Sequence, residues 1–87
     1  MKNKDVNKSF LMLVLYDQSQ MSLFIEKLSG YGFDQIMSCE NGAAALKKLH
    51  AGDQTVVITD TSLKGNMDGI DLGARIMEKY QLPVIYI

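Results

Sequence analysis

The sequence is 87 residues long, 47% hydrophobic and 22% charged, with a formal net charge of −1. That bounds it to one small domain of ordinary globular composition and removes a global electrostatic case for nucleic acid, with no Lys/Arg cluster to supply a local one. The single cysteine, Cys39, excludes an intramolecular disulfide and points to a reducing compartment, so the chain reads as cytosolic.

Residues 1–9 read as a polar leader, in which Lys2, Lys4 and Lys8 are interleaved with Asn and Asp. FLMLVLY (Phe10 to Tyr16) is a continuous apolar run of strand length, as expected of a strand covered on both faces. It is too short for a signal-peptide core or a membrane span. Met21, Phe24, Ile25 and Leu28 then fall at i, i+3, i+4 and i+7, which predicts an amphipathic helix. Ser19 suits its N-cap, and Gly30 or Gly32 its end. FDQIMSC (Phe33 to Cys39) is roughly alternating, which suits an edge strand with one wet face. Asn41 and Gly42 open a second helix with Ala45, Leu46 and Leu49 inward, ending at Gly52. TVVITD is a second buried strand. Asp68 begins and caps a third helix carrying Leu72, Ile76, Met77 and Tyr80, and Pro83 restarts the chain as the strand PVIYI. Cys39 reads as a packing residue, and Met21, Met37 and Met77 as core filler. His50 reads as a surface residue at a helix end that favours cations.

Strict alternation of strands and helices with short links predicts an α/β layer fold with parallel strands. The first and third strands are the most apolar and the second the most polar, which fits a sheet ordered 2-1-3-4. The functional crevice of such a sheet lies at the carboxyl ends of strands 1 and 3, where the order reverses. Strand 1 ends at Tyr16-Asp17 and strand 3 at Asp60, so two carboxylates are expected in one crevice. Their mutual repulsion calls for a hard divalent cation. Mg²⁺ takes one or two carboxylates, several waters and substrate phosphate oxygens. With that charge shielded, the Asp60 carboxylate becomes a plausible nucleophile toward a phosphoryl group. Backbone groups around Thr61 and Ser62 are within reach of metal and phosphoryl oxygens, and Gly65 and Gly69 let the loop turn sharply.

LMLVLYDQ, TDTSLKGNMDGIDL and LPVIYI resemble the receiver domain of two-component response regulators, over residues 10–87. The resemblance implies a flavodoxin-like, doubly wound parallel sheet and a phosphorelay switch rather than a metabolic enzyme. It implies that Asp60 is the phospho-acceptor and that Asp17, Asp60 and the Ser62 backbone carbonyl hold Mg²⁺. The implied partner is a sensor histidine kinase or phosphotransfer protein, with no nucleic acid and no membrane. The loop looks like a variant form with one residue inserted before Met-Asp-Gly. There are two departures. Tyr16 stands where the family has its first acidic residue, which is expected to weaken the metal site. The chain also stops at Ile87, so the switch Ser/Thr, the last strand with its lysine and the last two helices are absent, as in a fragment or a shortened relative. An open strand-4 edge is then expected to pair with a second copy, or to leave the polypeptide poorly stable. The rival reading is a pseudo-receiver that kept the fold as an interaction module. A nucleotide or flavin binder fits poorly, because YDQSQ stands where a Gly-rich phosphate loop would follow strand 1.

Overall fold

The computed structural model describes residues 9–87, so the polar leader, apart from Ser9, lies outside the described residues. The chain order is β1 (Ser9–Val14), α1 (Gln18–Gly30), β2 (Ile36–Cys39), α2 (Gly42–Lys48), β3 (Gln54–Thr59), α3 (Gly69–Tyr80) and β4 (Val84–Tyr86). All strand pairs are parallel, and the sheet runs β2-β1-β3-β4, the order expected from strand polarity.

The period of two along β1 distributes its apolar run over both faces of the sheet. Leu13 and Leu15 meet Met21 of α1, with Phe24, Ile25, Leu28 and Ile58 packed around them. Met12 and Val14 face the other way and join Val57, Ala45, Leu72 and Ile76 beneath α2 and α3. Each such side chain, fully buried, contributes roughly 1.5–3 kcal/mol relative to exposure, so the central strands carry most of the stabilisation. Cys39 belongs to this second cluster. Burial pushes its thiol pKa up, partly offset by the Lys48 charge, which keeps it a neutral packing group.

Four expectations need correction. β2 starts at Ile36, not Phe33, which is 48% exposed. The end of α1 consumes the preceding residues: Gly32 adopts φ +100° and the Phe33 N–H returns to the Leu28 carbonyl. α2 ends at Lys48 rather than running to Gly52. Leu49 is already extended, and the His50 N–H donates to Asp53 Oδ2 while the Asp53 N–H donates to the His50 carbonyl, a local turn that outcompetes another helical turn. Met77 is 53% exposed because it lies off the Leu72–Ile76–Tyr80 line that faces the sheet. The N-cap of α1 is Asp17, not Ser19.

α3 approaches the sheet closely. A Cβ built on Gly73 would lie 1.9 Å from the Tyr86 hydroxyl, so the β4 aromatic ring occupies the space a side chain would need. α3 ends with Gln81 in the left-handed region (φ 57°), its N–H bonded to the Ile76 and Met77 carbonyls. On the face opposite Val84 and Tyr86, Ile85 stays about half exposed. No helix among the described residues is long and apolar enough to cross a membrane.

Candidate functional site

Adjacent parallel strands bring their carboxyl ends to one rim. Val14 of β1 pairs with Thr59 of β3, and the Asp60 N–H donates to the Val14 carbonyl at 3.0 Å. Asp60 is therefore held one step beyond the last strand pair, and it is half-buried there. β1 goes one step further on its other side, where the Leu15 N–H bonds the Cys39 carbonyl at 3.1 Å, and then turns at Tyr16. Asp17 follows on the same rim. Its Oδ1 accepts from the Ser19 N–H at 2.8 Å and the Gln20 N–H at 3.3 Å, which caps α1. A carboxylate there also meets the positive end of the helix macrodipole, which Ser19 could not match. Both bonds fall on one oxygen, so Oδ2 takes no part in the cap.

The segment after Asp60 is closed at its base. The Thr61 N–H bonds the Ile87 carbonyl at 3.3 Å, the Ile87 N–H bonds the Thr59 carbonyl at 3.0 Å, and the Gly69 N–H bonds the Thr61 carbonyl at 2.9 Å. The Thr59 hydroxyl adds a 3.0 Å bond to the Asp60 carbonyl. Gly69 is required by close approach, since its Cβ would lie 1.6 Å from the Asp60 carbonyl oxygen. Gly65 is required by backbone angle, at φ +107°. Asp68 caps α3 through the Asp71 N–H at 2.8 Å, as expected. Ser62 is exposed within this loop.

The donors available at the rim are the Asp17 and Asp60 carboxylates and the loop carbonyls, all oxygen. That set suits a hard cation such as Mg²⁺, which uses one or two carboxylates and completes its shell with water. Among the described residues no three His, Cys, Asp or Glu side chains gather as a metal site. Tyr16, where the resemblance implies an acidic residue, is exposed and carries Lys64 Nζ 4.6 Å above its ring centroid. Lys64 was not singled out by the sequence. It falls on no periodic stripe, and only the path of the loop brings it to Tyr16. His50 sits before β3, at the opposite rim, with Nδ1 3.9 Å from Asp53 Oδ2. Concavity does not single out the site either. A hollow of about 610 Å³ opens at the far rim around Phe10, Phe33 and Thr55, and one of about 380 Å³ lies between α2 and Lys64, Asn66 and Met67.

Residues 12–87 match the family model described as the response regulator receiver domain. Chemotaxis protein CheY-3 of Vibrio cholerae is 35% identical over 86 residues, 94% of this chain and 65% of that protein. Chemotaxis protein CheY1 of Helicobacter pylori is 33% identical over 81 residues, 87% of this chain and 64% of that protein. The chain thus spans a little under two thirds of the length of these curated relatives. Among solved structures, the signal receiver domain of a modulated diguanylate cyclase from Desulfovibrio desulfuricans aligns with a TM-score of 0.81 at 22% identity, over 94% of this chain and 64% of that one, which bears on the fold alone. The MaeR response regulator bound to beryllium trifluoride aligns at 0.78 with 28% identity, over 94% and 66%.

Proposed function

The chain belongs to the response regulator receiver domain family, and on that premise we propose that Asp60 accepts a phosphoryl group from a phosphohistidine of a sensor histidine kinase or phosphotransfer protein. The observation that carries this reading is the register at the rim: Val14 opposite Thr59, with the Asp60 N–H on the Val14 carbonyl. It holds a half-buried carboxylate at the switch point of the sheet, on the rim that also carries Asp17.

An Asp60 carboxylate oxygen attacks phosphorus. The P–N bond of the donor breaks, its electron pair returns to the imidazole nitrogen, and solvent supplies that nitrogen's proton. The product is an aspartyl phosphate, which water later hydrolyses back to carboxylate and inorganic phosphate. The N–H and hydroxyl bonds around Val14, Thr59 and Gly69 keep the Asp60 backbone fixed, so little reorganisation is needed at the moment of attack. Asp17 Oδ2, Asp60 and the Ser62 carbonyl would hold Mg²⁺, with Asp17 already oriented by its cap bonds to α1. When bound, the ion neutralises charge between the carboxylates and the incoming phosphoryl oxygens. This is a signalling switch acting in the cytoplasm, not a metabolic enzyme.

The test is incubation with a small-molecule phosphodonor and Mg²⁺. The expected result is a mass increment of one phosphoryl group that Asp60→Asn abolishes. No increment in a chain carrying the whole fold favours an interaction module instead, the reading that Tyr16 supports. A polypeptide of these residues alone, with the outer edge of β4 open, pairs with a second copy or is poorly stable. Light scattering at micromolar concentration should then find a dimer or a poorly folded chain, and a well-folded cooperative monomer would refute this.

A further inference from the structure

Three features at the rim belong together. Tyr16 lies two residues past the end of β1, its ring is exposed, and Lys64 reaches over from the loop after β3 to sit 4.6 Å above its centroid. That distance is within the range where a cation over an aromatic face is attracted by the ring quadrupole. Tyr16 adjoins Asp17, and Lys64 lies in the loop that starts at Asp60. The contact therefore ties together the two chain segments that carry the two carboxylates.

We propose that Lys64, seated on the Tyr16 ring, is a positioning residue of the phosphoryl-transfer site: it pins the loop after β3 to the turn after β1 and places a fixed positive charge on the rim of Asp17 and Asp60. The inference rests on the phospho-acceptor reading of Asp60. A third carboxylate at position 16 would strengthen cation recruitment, whereas an aromatic face recruits the protein's own ammonium. The rim then needs less from the divalent ion and binds it more weakly, because a dication approaching the carboxylates also approaches Lys64. An anionic phosphodonor gains what the dication loses. A Lys at this place keeps its charge on a flexible stem, so it can stay on the ring while its field reaches the incoming phosphoryl oxygens.

The test uses the protein with Tyr16→Phe, Tyr16→Leu, Lys64→Arg and Lys64→Met. The first readout is the ring-current shift of the Lys64 side-chain protons by NMR. Those protons should lie upfield of the ordinary lysine range, as those of Lys79 over the Tyr80 ring also should, stay there in Tyr16→Phe and move into the ordinary range in Tyr16→Leu, with Lys79 unchanged. The second is Mg²⁺ affinity by amide-shift titration, which Lys64→Met should tighten about threefold or more at low salt and Lys64→Arg should leave near the parent value. The third is transfer from a small acyl-phosphate donor, where Lys64→Met should raise KM more than it lowers kcat. Lys64 protons that ignore Tyr16→Leu, or a Lys64→Met protein with unchanged Mg²⁺ affinity and KM, would overturn the proposal. If the shifts and the titration behave as stated but Asp60 takes no phosphoryl group, the latch stands and the acceptor reading fails.

Discussion

Two connections leave the same rim of the sheet and solve the same problem differently. Residues 15–17 lead from β1 to α1, and residues 60–68 lead from β3 to α3. Each begins one step past a strand pair, and each ends on an aspartate that caps the next helix. In the short connection one residue does both jobs, since Asp17 caps α1 and is also the candidate cation ligand. In the long connection the work is divided: Asp60 is the candidate acceptor, Asp68 caps the helix, and two glycines permit the path between them. The short connection has no spare residue, so a cation there would be left the oxygen that the cap does not use. The long one has the freedom to carry Lys64 across to Tyr16.

The sharpest way to break this division is at Gly69. Alanine there would drive a methyl into the Asp60 carbonyl, a backbone atom that cannot rotate away. Gly69→Ala should cost about 3 kcal/mol or more, read by denaturant unfolding, because helix and loop must separate. An unfolding midpoint within error of the parent would show that the loop end is not seated as described. Next in size are the paired substitutions at Asp17. Asp17→Ala should lose about 1 kcal/mol of stability and also weaken Mg²⁺ binding about tenfold or more, both functions failing together. Asp17→Asn keeps a capping oxygen but not the charge at the helix N-terminus, so it should weaken Mg²⁺ binding while losing less stability than Asp17→Ala. Asp68→Ala completes the comparison. It should lose about 1 kcal/mol with Mg²⁺ affinity intact, since the long connection separates the two roles. Equal metal losses at Asp17→Ala and Asp68→Ala would dissolve the contrast.

Much of this was legible in the sequence, for identifiable reasons. The apolar runs FLMLVLY and TVVIT marked two central strands, and their polarity against FDQIMSC marked the edge, so the order 2-1-3-4 followed. Asp17 and Asp60 were legible because each closes such a run. What escaped were features decided by local competition or by tertiary path. Phe33 looks like a strand residue but is taken up by the end of α1, and Leu49 looks helical but is extended while buried all the same. Ser19 is a fair cap by type, yet the carboxylate two residues earlier takes the same amides. Lys64 was invisible because no spacing rule relates a loop lysine to a tyrosine in the turn after another strand.

Gly69 and Gly73 are one helical turn apart and share a face of α3. At the first the helix backbone rests against the Asp60 carbonyl, and at the second it rests against the ring of Tyr86. Elsewhere under the helices, flexible side chains such as Met12 stand between helix and sheet and can be squeezed or re-aimed. Along this stripe there is no such cushion. An ångström of movement at the Asp60 carbonyl pushes directly on the helix backbone, and the helix backbone in turn on the tyrosine.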